Sequence, residues 1–307
     1  MSDTDANVDT AGLSDRLGAA APVPTILTRT RLLLVPLLLF DLVVFVVPMG
    51  YLLRVSLTES TDTGGAFVEG TWSVDGYRYI GESGLLREVF GWTMLFAVVA
   101  TVLAVAIGTL YAYAAWRASG VTRAVLLGGV VLSMFTTLVV KLFAARLMLQ
   151  PEGPLNDAML AAGLVDAPLT LVQNEVGVLL GQLYVVLPYT VLAVYSVLTG
   201  LDEHLVEAAH DLGATRWRAV REVVVPHAVP GMAVGGVIAF AWSAGAFAAP
   251  ALLGSSSERT VAVEVQRLLR DFNYPAAAAL AVVLTGVVFV ALAAGGLWLR
   301  HRGSNRD

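Results

Sequence analysis

The sequence predicts an all-α integral membrane protein of about six transmembrane helices, and three observations carry that prediction. The residue mix is 57% hydrophobic and 14% charged, with a mean hydropathy of +0.75, whereas soluble chains are about a quarter charged. The apolar residues gather into six runs, each long enough to cross a hydrocarbon core of about 30 Å as a helix. Those runs are continuously apolar and rich in Leu, Ala and Val rather than alternating. That pattern argues against a membrane barrel and for helices, which satisfy their own backbone in lipid.

Residues 1–30 are small and polar, with no basic segment leading into an apolar core as a cleavable signal requires. They read as a disordered tail. The spans then run from Leu32 to Leu53, Val89 to Trp116, Ala124 to Leu149, Val176 to Leu201, Met232 to Leu253 and Ala276 to Leu299. The plan is a tail over 1–30, a transmembrane domain over 31–301 and a short tail over 302–307. Six spans put both termini on one side. Pro36, Pro48 and Pro188 lie inside or near the ends of spans, where a missing backbone N–H predicts kinks.

Basic residues close to the spans set the orientation. Arg117 and Arg123 flank the second turn, Arg29 and Arg31 precede the first span, and Arg216, Arg218 and Arg221 follow the fourth. Arg300, Arg302 and Arg306 follow the sixth. All four segments fall on one face, which predicts a multi-pass plasma-membrane protein with cytoplasmic N- and C-termini and membrane lipid as its surroundings. The net charge of −5 argues against nucleic acid as a partner. No phosphate-binding loop of the form G-x-x-x-x-G-K-[ST] occurs, and no nucleophile–base or paired-carboxylate constellation points to catalysis. The chain has no cysteine, and His204, His210, His227 and His301 lack metal-ligand spacing. No cofactor or metal is expected on this chain.

One segment is too charged for the bilayer and too patterned for disorder. Between the fourth and fifth spans, residues 202–231 read DEHLVEAAHDLGATRWRAVREVVVPHAVPG. Leu205, Ala208, Ala209 and Leu212 fall on one side of a short helix, and Gly213 supplies a C-terminal stop. A second short helix starts at Thr215, whose hydroxyl can cap Trp217 and Arg218, and ends before Pro226. Small residues there would let another protein's groove approach the backbone, with Glu207, Arg216 and Arg218 forming charge-assisted hydrogen bonds at the rim. An amphipathic connector lying on the headgroups fits the same residues.

Glu207-Ala208-Ala209, three residues, Gly213, nine residues and then Val223-Val224-Val225-Pro226 resemble the EAA motif of permease subunits in binding-protein-dependent ABC importers. The usual ending is Ile-x-Leu-Pro, so Val223 and Val225 are its two departures. Ala144 to Leu149 with Pro151 to Asn156, Gly181 to Tyr189, and Phe247 to Gly254 resemble the spermidine/putrescine type. The tryptophan of that type near Ala145 is missing. The resemblance covers about Leu85 to Leu299. It implies a type I importer permease fold and a coupling helix, Glu207 to Gly213, seated in a cleft of a separate cytoplasmic ATPase that binds ATP and Mg. Glu207, Ala208, Ala209, Asp211, Gly213, Arg216 and Pro226 are the coupling residues it implies. It further implies a second permease subunit, an extracytoplasmic substrate-binding protein and a polyamine or related small solute as cargo.

Two further places stand out. Asp41 lies midway along the first span, where a carboxylate costs a few kcal/mol unless it meets water or a partner; it reads either as part of a cation pathway or as a group bonded to a neighbouring helix. Lys141 and Arg146 would touch an anionic solute, pair with Glu152 and Glu175, or snorkel. Trp72, Tyr77, Tyr79 and Trp92 read as an interfacial aromatic belt. The rival functions are a secondary transporter, which ordinarily carries ion-coupling carboxylates in its spans where this chain has Asp41, and a membrane protein without transport.

Overall fold

The computed structural model describes residues 34–60, 67–68 and 70–304. The tail predicted over 1–30 and the last residues, 305–307, lie outside them. The chain divides into two units, residues 1–52 and 53–307. Twelve helices are used below. Helix α1 is Leu34–Ser56, α2 Asp75–Glu82, α3 Gly84–Arg117, α4 Gly120–Phe135, α5 Leu138–Leu149 and α6 Pro154–Ala161. Helix α7 is Glu175–Leu198, α8 Glu203–Asp211, α9 Arg216–Ala244, α10 Ala248–Leu253, α11 Val261–Arg270 and α12 Tyr274–Ser304.

Five of these are long and apolar enough to cross a membrane, and α4 with the bent stretch of α5 and α6 makes a sixth candidate. The predicted third span, Ala124 to Leu149, is not continuous: it breaks at Thr136 and Thr137 and turns through 111°. Thr136 Oγ1 donates to the Leu132 carbonyl at 3.1 Å, and both threonines adopt extended backbone. Hydroxyl side chains that bond local carbonyls compete with the helix ladder in this way. The predicted fifth span, Met232 to Leu253, also needs correction, because α9 stops at Ala244 and α10 begins only at Ala248.

Helix α9 carries a second correction. The short helix expected to end before Pro226 instead continues through it to Ala244. A π-turn over Val220–Val224 makes this possible, with the Val225 N–H reaching back to the Val220 carbonyl. A proline in a regular helix lacks the N–H and clashes with the carbonyl four residues earlier, and the wider turn relieves both problems. The same device recurs in α1, where a π-turn over Leu42–Val46 stands just before Pro48 and the Val47 N–H reaches the Leu42 carbonyl.

Helices α3, α7 and α9 form the centre of the second unit. Lipid offers no hydrophobic drive between helices, so they associate by close packing of small residues and by interhelical hydrogen bonds. Thr190 of α7 is fully buried. A Cβ at Gly108 of α3 would lie 2.9 Å from its Cγ2, and one at Gly235 of α9 would lie equally close. Both positions therefore require glycine. Gln182 Nε2 donates to Ser243 Oγ at 3.1 Å, tying α7 to α9.

The remaining elements are pinned to this centre. Asn156, fully buried, donates to the Gln150 and Leu169 carbonyls and accepts from the Leu169 N–H at 2.7 Å, closing the link after α5. Thr93 of α3 accepts the Val261 N–H at 3.0 Å, so α11 starts against α3. On α11 the fully buried Glu264 pairs with Arg267 at 2.5 Å and with Arg259 at 3.8 Å.

Gly235→Val should lower the thermal unfolding midpoint of the purified protein, because overpacking a tight site costs about 1–3 kcal/mol. Adding Thr190→Ser, which removes the Cγ2 methyl, should recover part of the loss. An unchanged midpoint in the single variant would show that the junction is not tight.

Candidate functional site

Helix α8 has a defined beginning and end. Asp202 accepts the His204 N–H at 3.0 Å, a side-chain N-cap. At the other end the Gly213 N–H bonds to the His210 carbonyl at 2.8 Å and the Ala214 N–H to the Ala209 carbonyl at 2.9 Å. With Gly213 at φ +85°, these two bonds make a Schellman stop. The His210 imidazole adds a third tie, donating from Nδ1 to the Ala214 carbonyl at 2.9 Å. The next turn starts at Thr215, whose Oγ1 accepts the Arg218 N–H at 3.3 Å. Gly213 as a stop and Thr215 as a cap of Arg218 are where the sequence placed them.

The side of α8 that faces the protein is centred on Val206. Val206 is buried, with Ala209 and Ala214 half-buried beside it, and they pack on Leu198, Leu201, Ala219 and Val224. Helix α8 thus rests on the end of α7 and on the π-turn within the first part of α9. Leu205, Ala208 and Leu212 point outward: Leu205 is 55% exposed and Leu212 90%, and Trp217 on the following turn is 74% exposed. Leu205, Ala208 and Leu212 of the stripe read from the sequence lie on the outer face, and only Ala209 departs from it, turning half-buried into the seat.

Charged groups surround that outer face. Glu207, Asp211, Arg216, Arg218 and Arg221 are all exposed. Arg218 pairs with Glu222 at 3.0 Å, and Glu207 Oε2 lies 3.1 Å from His204 Nδ1. Pro226 is exposed within α9, next to His227, whose Nε2 donates to the Val197 carbonyl of α7 at 3.2 Å. The predicted coupling residues from Glu207 to Pro226 are therefore brought into one surface and its mounting.

Asp41 belongs to the other unit. It stands at the entry to the π-turn of α1, the one charged residue between Leu34 and Leu53. Lys141 is 4% exposed on α5. Among the described residues neither it nor Arg146 joins an ion pair with Glu152 or Glu175, so the pairing weighed for them does not form. Instead the Lys141 ammonium lies 5.8 Å from the centre of the Tyr184 ring.

The second unit is thus a bundle of helices apolar enough to span a membrane, with an exposed, capped helix mounted between two of its central helices. Residues 130–299 match the family described as binding-protein-dependent transport system inner membrane component, and the chain belongs to that family. It is 26% identical over 249 residues to the spermidine/putrescine transport system permease protein PotB of Haemophilus influenzae, covering 81% of this chain and 87% of that one. It is 27% identical over 222 residues to the protein of the same name in Escherichia coli, covering 71% and 80%. A probable molybdenum ABC transporter permease protein of Haloferax volcanii is 33% identical over 205 residues, covering 67% and 71%. The fold matches a chain of a bacterial ABC transporter involved in the import of the acidic polysaccharide alginate, with a TM-score of 0.74 at 18% identity over 89% of this chain and 95% of that one.

The His204 imidazole is held above the ordinary value of 6.5 by its hydrogen bond with Glu207 and by the charges of Asp202 and Glu207. The stabilisation this pair lends α8 is fully present below that ordinary value and is lost as pH rises through the raised one. Histidine NMR titration should find His204 above 6.5 in the wild-type protein and lower in Glu207→Gln. A pKa that is the same in both would show that the pair does not form.

Proposed function

We propose that this chain is one permease subunit of an ATP-driven importer, taking solute from an extracytoplasmic binding protein and carrying it through a path shared with a second permease subunit. The observation that carries the coupling role is the outer face of α8: Leu205, Ala208, Leu212 and Trp217 ringed by Glu207, Arg216 and Arg221. Apolar residues inside a polar rim are the anatomy of a protein docking patch. Its occupant in this reading is a cleft of a separate cytoplasmic ATPase, which binds ATP and Mg. The matching names of the polyamine permeases support a polyamine as solute; the partner subunit in this reading is a paralogue.

Movement of the ATPases would reach the membrane through α9. That helix runs unbroken from Arg216, beside the patch, to Ala244 at the far end of the bundle. Displacing α8 pushes on Val224 and the π-turn, and with them on a helix about 1.5 Å long per residue. The termini and the α8 end lie in the cytoplasm in this reading, and Asp41 contributes to the cation path. Asp41→Asn should slow uptake while leaving assembly intact; unchanged uptake kinetics would remove Asp41 from the mechanism.

Gly213→Val and Glu207→Arg test the coupling role. The first strains the αL stop by about 1 kcal/mol or more, in a place with nothing within 4 Å of the new Cβ. The second reverses a rim charge. Both variants should reach the membrane at normal levels, because the apolar spans set insertion, yet lose substrate-stimulated ATP hydrolysis and uptake. Normal uptake by the double variant would reduce α8 to a connector. Single cysteines placed over 205–222 should resist an impermeant thiol reagent applied outside intact cells, and labelling there would reverse the orientation.

A further inference from the structure

Glu264 is a buried acid with no part in the coupling surface. It is fully buried on α11, and its two oxygens are served unequally. Oε1 accepts twice from Arg267, from Nε at 2.9 Å and from Nη2 at 2.5 Å. Oε2 is buried with no hydrogen bond, and Arg259 Nη1 stands 3.8 Å from it. That is too far for a hydrogen bond, yet a shift of about 1 Å would make one. A buried oxygen left unmet beside a charged donor is costly, so something holds the two apart.

The holder is the connector over residues 254–260, on which Arg259 stands. Glu258 knots it from within, accepting the Ser255 N–H at 2.7 Å and the Ser257 hydroxyl at 2.8 Å. Thr260, fully buried, donates to the Ala246 carbonyl at 2.6 Å. Ala246 sits in the break between α9 and α10, so the residue beside Arg259 is bonded to the far end of the rod that begins beside α8. Helix α11 is mounted elsewhere: Val261 and Leu268 are buried with Leu86 and Val89 of α3 and Leu280 of α12. The Arg259 side chain is a third exposed and has room to turn. An arginine tied to one end of α9 and a carboxylate tied to α3 and α12 close or part as that end moves.

We propose that Arg259 is a positioning residue of the transport cycle: ATP binding, by displacing α9, carries the connector towards α11, and the Arg259–Glu264 pair closes to a hydrogen bond. The pair stands open in this structure. The proposal rests on the coupling role of α8 for the force that moves α9. Closure satisfies Oε2 and draws α10, which runs directly into the connector, towards α11. The far end of the bundle then holds the state that ATP creates at the α8 end.

The test uses the complete transporter, permease subunits with their ATPases, in lipid nanodiscs, and reads the affinity for a non-hydrolysable ATP analogue. A bond formed only in the ATP-bound state raises the affinity of the distant nucleotide site by linkage. Arg259→Gln should therefore weaken analogue binding about tenfold, the size of one hydrogen bond to a charged group. Arg259→Lys, which keeps the charge, should restore most of the loss, and in a Glu264→Gln background Arg259→Gln should cause no further loss. Should Glu264→Gln fail to assemble, Glu264→Asp takes its place, since it withdraws the carboxylate by one methylene. A pair with a merely structural role stabilises both states alike, so equal affinities in wild type and Arg259→Gln overturn the proposal. The same loss with and without Glu264 also overturns it, because Arg259 then acts on another group. A wild-type complex that binds no analogue defeats the importer reading and the latch with it, whereas tight binding that Arg259→Gln leaves unchanged defeats the latch alone.

Discussion

Thr190 is the point on which the second unit depends. Its side chain occupies the space left by two glycines, Gly108 on one neighbouring helix and Gly235 on the other, and its hydroxyl returns to the Val186 carbonyl of its own helix at 3.3 Å. In lipid, contact between helices is won by closeness rather than by exclusion of water. The junction sets how near α3, α7 and α9 approach. Gly231 repeats the theme one turn away, where a Cβ would lie 2.7 Å from the Ala193 carbonyl.

The functional surface inherits its geometry from that junction. The seat of α8 is built from the same helices: Trp116 near the end of α3, Leu198 at the end of α7 and Val224 at the end of the π-turn in α9. Val206 is buried among them. A regular helix interrupted at Pro226 would separate the seat from the bundle. The π-turn keeps α9 whole, so the surface and the core share one rod. The widened turn lies directly beneath α8.

Much of this was legible in the sequence, for reasons that differ from residue to residue. The spans were readable because a run of apolar residues has one low-energy solution in lipid. Gly213 was readable because a helix stop in the left-handed region favours glycine. The break at Thr136 and Thr137 was not, since two threonines barely lower the mean hydropathy of their window, and only the structure shows both in extended backbone. Pro226 misled because a proline signals a stop, and the sequence does not reveal the π-turn that absorbs it. The outward sense of Leu205, Ala208 and Leu212 was legible because charged residues flank them, whereas Ala209 was placed with them although it turns inward beside Val206: a small residue at the edge of a stripe carries too little apolar area to mark its side. Lys141 was noticed as a charge, and only the packing of α5 on α7 shows it beneath an aromatic ring instead of beside an acid.

The central claim is that the outward face of α8 is covered by an ATPase in the working protein, and a photo-crosslinking residue at Leu212 tests it most directly. Leu212 is 90% exposed and touches the chain little, so whatever it captures in intact membranes is its occupant. The account predicts one crosslinked product containing a phosphate-loop ATPase, with a yield that changes when ATP is bound. Capture of lipid alone, with no protein adduct in either nucleotide state, would contradict it.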